Sequence, residues 1–151
     1  AREIETKAKQ SGCQIVLQSD AVVAGALAAG GETSTVAIDA VPEDQMILDI
    51  GPASISDISQ VLGACRTLVW NGPVGAFETS PFDAGTMALA YRVAELTAAG
   101  SLISVAGGGD TVAALGQADV VDRLTYVSTA GGAFLEWLEG RTLPGVAALE
   151  T

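Results

Sequence analysis

Histidine is absent from the 151 residues, and lysine occurs only at Lys7 and Lys9. The first absence excludes Ser-His-Asp and Cys-His catalysis, HExxH zinc chemistry and imidazole acid-base work, each of which needs a ring nitrogen titrating near neutrality. Seven basic against 18 acidic side chains give a formal net charge of −11. With so few cations there is no basic stripe to neutralise phosphates, so neither nucleic acid nor a membrane surface bound through basic residues is an expected partner. Long apolar runs are also lacking. The longest, 21–31, lies between Asp20 and Glu32 and reaches about half of the ~20 residues that a membrane-spanning helix needs. Cysteine is scarce: Cys13 and Cys65 have apolar neighbours and no CxxC spacing, which reads as buried free thiols in a reducing cytoplasm. There is no initiator methionine and no signal-peptide pattern at Ala1-Arg2-Glu3-Ile4-Glu5, so the start reads as the interior of a longer chain.

What is present points to a globular fold. Hydrophobic residues make up 49% and charged residues 17% of the chain, too apolar a mixture for disorder. The length suits one domain with a real core, and no linker or repeat divides it. Short apolar runs at 14–17, 35–38, 46–50, 67–70, 102–106 and 124–127 read as strands. Their near-continuous hydrophobicity predicts burial on both faces, as in a parallel sheet. Helical periodicity lies between them. Ile55, Ile58, Leu62 and Cys65 form one stripe with Ser54 as N-cap. From 83 to 99, Met87-Tyr91-Ala94 and Leu89-Val93-Leu96 form two stripes, with Gly100 as the stop. A further helix runs from about 131 to 139 with Phe134, Leu135 and Leu138 inward. The 21–31 segment, rich in Ala and Gly, reads as packed. The alternation predicts an open α/β sheet, Rossmann-like, with three αβα layers.

In such folds ligands bind beyond the carboxyl ends of the strands. Three loops there are rich in glycine. Gly107-Gly108-Gly109-Asp110-Thr111 follows a strand and opens a helix, so its backbone N–H groups can approach an anion at a helix N-terminus. Asp110 either caps that helix or holds Mg²⁺ that bridges to phosphate oxygens; Thr111 can donate its hydroxyl. The loop is neither GxGxxG, because Val112 replaces the last glycine, nor a Walker motif, because no lysine follows Lys9. Ser128-Thr129-Ala130-Gly131-Gly132-Ala133 is a second helix start, open to reading as an N-cap or an anion site. The third loop, Trp70-Asn71-Gly72-Pro73-Val74-Gly75-Ala76-Phe77-Glu78, makes a rigid Asn-Gly-Pro turn. There Glu78 is either a ribose ligand or a solvated acid.

Together, in this order, these loops resemble the phosphoglycerate kinase family. Leu48-Asp49-Ile50-Gly51-Pro52 and the closing Leu138-Glu139-Gly140 and Leu143-Pro144-Gly145-Val146 extend the likeness from about Lys7 to Leu149. The resemblance implies the C-terminal, Mg-nucleotide-binding domain of a monomeric two-domain glycolytic kinase, one that moves the acyl phosphate of 1,3-bisphosphoglycerate to ADP and gives 3-phosphoglycerate and ATP. Residues 1–151 would be a partial domain, its sheet incomplete on the N-terminal side and its substrate-binding partner domain absent. By the same resemblance, Glu78 binds ribose, and Gly108, Gly109, Asp110 and Thr111 meet the nucleotide phosphates and the metal. Gly131 and Gly132 offer amides to the transferred phosphoryl group, Asn71 and Pro73 shape the nucleotide pocket, and Gly108 joins Gly131 and Gly132 as catalytic. Two positions depart from the family pattern, Ala130 and Ile47, where glycine is usual. The nucleotide-binding lysines of the family are missing, which implies a chain inactive by itself. The alternative from another class is a regulatory nucleotide-binding module. A dinucleotide oxidoreductase lacks its fingerprint here.

Overall fold

The computed structural model describes residues 1–128 and 131–149; the side chains of Phe134 and Leu138 lie outside the described set, as do Thr129 and Ala130. The elements run α1 (Arg2–Ser11), β1 (Asp20–Ala24), β2 (Ser34–Ala37), β3 (Met46–Ile50), α2 (Pro52–Ala64), β4 (Thr67–Asn71), α3 (Ala84–Ala98), β5 (Ile103–Gly107), α4 (Gly109–Gln117), β6 (Tyr126–Ser128), α5 (Gly131–Leu138) and α6 (Pro144–Ala147). Strands β4, β5 and β6 form a parallel sheet in that order, with α3 and α4 as the crossovers that parallel pairing demands. This is the expected α/β arrangement.

The core lies on one face of that sheet. Side chains alternate along a strand, so Trp70, Ala106 and, half-buried, Leu68 and Val127 join Leu62 of α2, Leu89, Val93 and Leu96 of α3 and Leu115 of α4 in one cluster. Helix α3 buries Leu89, Val93 and Leu96, whereas Tyr91 of the other expected stripe is exposed. Gly100, with φ 70°, follows the helix as its stop. On the opposite face the Cβ direction of Gly107 runs into Gly131 Cα at 3.2 Å, which places the start of α5 there as the third layer. Nearer the strand starts, no helix of the described residues covers that face. Val69, Ile103 and Tyr126 are 43%, 56% and 60% exposed there, so the burial of both strand faces expected from composition holds for only part of the sheet.

Several other expectations are corrected. Residues 14–17 form no strand and are exposed; apolar composition does not make a strand without a neighbour to bond. The strand that does form begins at Asp20, and β2-β1-β3 is an antiparallel sheet. Residues 21–24 are mostly buried in it, whereas 25–31 are exposed instead of packed. An additional helix, α1, buries none of its residues. Both cysteines are free; Cys65 is half-buried against the core, whereas Cys13 is exposed and not a buried thiol.

Ser54 is not the N-cap of α2. The helix starts three residues earlier than that cap implies, with Gly51 as cap and Pro52 in its first turn, where the missing proline N–H costs no hydrogen bond. Asp20 of β1 supplies the capping carboxylate from outside: Ala53 N and Ser54 N donate to it at 3.0 and 2.8 Å, and the Ser54 hydroxyl donates at 2.6 Å. A Cβ on Gly51 would overlap that carboxylate and displace the cap. Burial works against ionisation of Asp20, but the Ser54 hydroxyl and the Ser54 and Ala53 N–H groups outweigh it and hold the pKa below the usual aspartate value.

Candidate functional site

The carboxyl ends of β4, β5 and β6 stand in one row, because Asn71 pairs with Gly107 and Gly107 with Ser128. Each strand therefore releases its loop at the same edge, and β5 and β6 feed helices whose N-termini open there. Gly108 is the N-cap of α4 with φ 99°, a conformation that glycine adopts without steric penalty. A Cβ on Gly108 would also stand only 3.0 Å from Asn71 Oδ1. A Cβ on Gly131 would overlap Gly108 N and lie 2.6 Å from Gly108 Cα. The two glycine-rich helix starts thus touch backbone to backbone, an approach that any side chain would prevent.

Thr111 is fully buried, and its hydroxyl oxygen accepts the Gly72 N–H at 2.7 Å. The carbonyl of Gly72 accepts Trp70 Nε1–H at 2.7 Å. The turn after β4 is therefore pinned to α4 on one side and to its own strand on the other. Thr111 keeps its proton as a donor, but its primary structural bond is to the loop, which the motif did not foretell. Asp110 lies in the first turn of α4, exposed, and makes no hydrogen bond or ion pair among the described residues. It does not cap its own helix, which resolves one of the two readings. Gly109 and Gly132 are exposed, with open space where a Cβ would project.

The structure brings together Asn71, Gly108, Thr111 and Gly131, with Gly109, Asp110 and Gly132 next to them in the chain. Pro73 follows in the same turn, half-buried. Glu78 is exposed after the buried Phe77, and its side chain makes no hydrogen bond or ion pair among the described residues. Of the two departures, Ile47 is 45% exposed on β3 and pairs with Val23, whereas Ala130 lies outside the described residues, as does Thr129 of the expected cap. Among the described residues no three His, Cys, Asp or Glu side chains converge as a metal cluster. A cation at Asp110 would take its remaining oxygens from phosphate and water, which suits Mg²⁺, an ion that keeps several waters and commonly binds through one or two carboxylates.

One residue of consequence stands in the Leu48–Pro52 motif without a role that the sequence assigned. Asp49, at the end of β3, is 1% exposed. Its carboxylate accepts Gly85 N–H at 2.7 Å and its neighbour Ile50 N–H at 2.8 Å. Burial pushes its pKa up and nearby Asp83 adds to the rise, while the two N–H groups oppose it. The signal in the sequence was slight: an acid inside an apolar strand.

Fold and site together define an α/β domain in which two glycine-rich helix starts meet at the carboxyl edge of a parallel sheet. The family profile described as phosphoglycerate kinase matches residues 1–141, and the chain belongs to that family. It is 59% identical to the phosphoglycerate kinase of Ruegeria sp. (strain TM1040) over all 151 residues, and 61% identical to that of Chelativorans sp. (strain BNC1) over 150 residues, 99% of the chain. In each case it spans 38% of the relative's length. The structure of phosphoglycerate kinase from Coxiella burnetii superimposes with a TM-score of 0.91 at 40% identity, over 99% of this chain and 37% of that one. The enzyme from Pyrococcus horikoshii gives 0.78 at 27% identity, covering 99% and 36%. No helix among the described residues is long and apolar enough to cross a membrane.

Proposed function

We propose that this chain is the Mg-nucleotide-binding part of a phosphoglycerate kinase, a cytoplasmic glycolytic phosphotransferase that acts as a monomer. The full reaction moves the acyl phosphate of 1,3-bisphosphoglycerate to ADP, yielding 3-phosphoglycerate and ATP. The observation that carries the proposal is the backbone contact between Gly108 and Gly131, next to the exposed Asp110 carboxylate. Two helix N-termini that meet without side chains between them present amides to one anion, and Asp110 gives a cation a place beside it.

In this reading Gly108, Gly131 and Gly132 direct N–H groups at the phosphoryl group in transfer. Gly109, Asp110 and Thr111 hold the nucleotide phosphates and the metal, Asn71 and Pro73 form the pocket wall, and Glu78 accepts the ribose hydroxyls. Magnesium, when bound, neutralises phosphate charge and holds the phosphates in line. Phosphoryl transfer depends mainly on such alignment and charge compensation, and neither task requires the histidine that this chain lacks. The phosphoryl donor, 1,3-bisphosphoglycerate, would be held by a separate basic domain, so the chain alone binds without turning over.

Calorimetric titration with ADP, with and without Mg²⁺, tests this. Binding that strengthens with the metal is expected. Metal-indifferent binding favours a regulatory module, absence of binding refutes the nucleotide role, and substantial ADP-dependent turnover by this chain alone refutes the need for a second domain.

A further inference from the structure

A buried carboxylate without a cation is costly, and Asp49 has no ion-pair partner among the described residues. Its position shows what the cost secures. A Cβ on Gly75 or on Gly85 would overlap Asp49 Oδ1, so the carboxylate fills the space left by two side-chain-free positions at either end of one loop. One oxygen accepts Gly85 N–H in the first turn of α3, where the helix dipole favours negative charge; the other accepts Ile50 N–H. The same loop is bound to β3 once more, by Ala76 N–H donating to Leu48 O at 2.8 Å, and to α3 by Val74 N–H donating to Thr86 Oγ1 at 3.2 Å. The segment so held, 72–85, includes Pro73 and Glu78; it meets α4 at its first residue, where Gly72 N–H donates to Thr111 Oγ1, whereas Gly108, Gly109, Asp110 and Gly131 belong to other elements.

We infer that Asp49 is a positioning residue for the nucleoside half of the site: it fixes the loop bearing Pro73 and Glu78, whereas the phosphate half is built on β5, α4 and α5. The inference rests on the nucleotide reading above. Both carboxylate oxygens accept N–H groups, so in Asp49→Asn the new NH₂ must face one of those donors whichever way the amide turns. The amide still fills the space between Gly75 and Gly85, but the loop loses a charge-assisted bond and gains a donor set against a donor.

The test compares two probes, adenosine and Mg-pyrophosphate, on the intact chain. Asp49→Asn is expected to weaken adenosine by about tenfold, the scale of a lost hydrogen bond to a charged group, and to leave Mg-pyrophosphate affinity within about twofold. Gly75→Ala, which keeps the charge but crowds the carboxylate, is expected to give the same split and serves if the first variant does not fold. Backbone hydrogen exchange is expected to quicken in 72–85 but not in β5 or α4. Parallel weakening of both probes, or unchanged exchange in 72–85, overturns the positioning role. If the unmodified chain binds neither probe, the nucleotide reading falls, and exchange in the variants still decides whether Asp49 sets the loop.

Discussion

Adjacent glycines at the start of α5 offer a direct comparison of steric need. In Gly131→Ala the new methyl would overlap Gly108 N and sit 2.6 Å from Gly108 Cα and 2.8 Å from the carbonyl carbon of Gly107. All three are backbone atoms of β5 and its following loop, so no rotamer change relieves the overlap; strand or helix has to move. Forced overpacking of this kind costs about 1–3 kcal/mol. At roughly 2–4 °C per kcal/mol for a domain of this size, the melting temperature should fall by about 2–12 °C. In Gly132→Ala the methyl meets nothing within 4 Å, and replacing glycine by alanine inside a helix gains up to ~1 kcal/mol, so its melting temperature should hold or rise. Thermal unfolding by circular dichroism measures both. Equal melting temperatures for the two variants would refute the claim that the helix starts touch. Because the displacement drives the two helix starts apart, Gly131→Ala should also weaken Mg-ADP in calorimetry.

Three further outcomes are expected. Thr111→Val leaves the Gly72 N–H without its buried acceptor and should cost about 1–3 kcal/mol in urea unfolding, with Thr111→Ser recovering most of it; an unchanged midpoint would show that the bond contributes nothing. Asp20 has a lowered pKa, so its contribution is complete above the unfolded value of about 3.9 and fades as pH falls through the lower folded one. The stability gap between the protein and Asp20→Asn should accordingly be largest near neutrality and shrink below about pH 4; a gap independent of pH would remove the capping account. Asp110→Asn should erase the Mg²⁺ dependence of ADP binding while leaving the melting temperature nearly unchanged, since Asp110 is exposed and unpartnered among the described residues; retained metal dependence would take Asp110 out of the site.

The sequence alone determined the parts governed by local chemistry. Alternating apolar runs and helical stripes specified β4, α3 and β5 to within a residue or two, since periodicity records which side a residue buries. The glycine-rich starts of α4 and α5 were legible because few other residues permit such turns, and the lack of histidine by itself excluded whole classes of catalysis. Tertiary structure decided what depends on distant partners. Residues 14–17 are as apolar as a strand but have no neighbour to pair with, whereas β1 becomes a strand because β2 and β3 flank it on both sides. Asp20 caps a helix more than thirty residues away, and Ser54, which looked like the cap, donates its hydroxyl to that aspartate. Asp49 has no meaning in its own strand and acquires one only when Gly75 and Gly85 close around it. Hydrogen bonds and burial join residues by proximity in space, which a linear pattern records only where the chain happens to be its own neighbour.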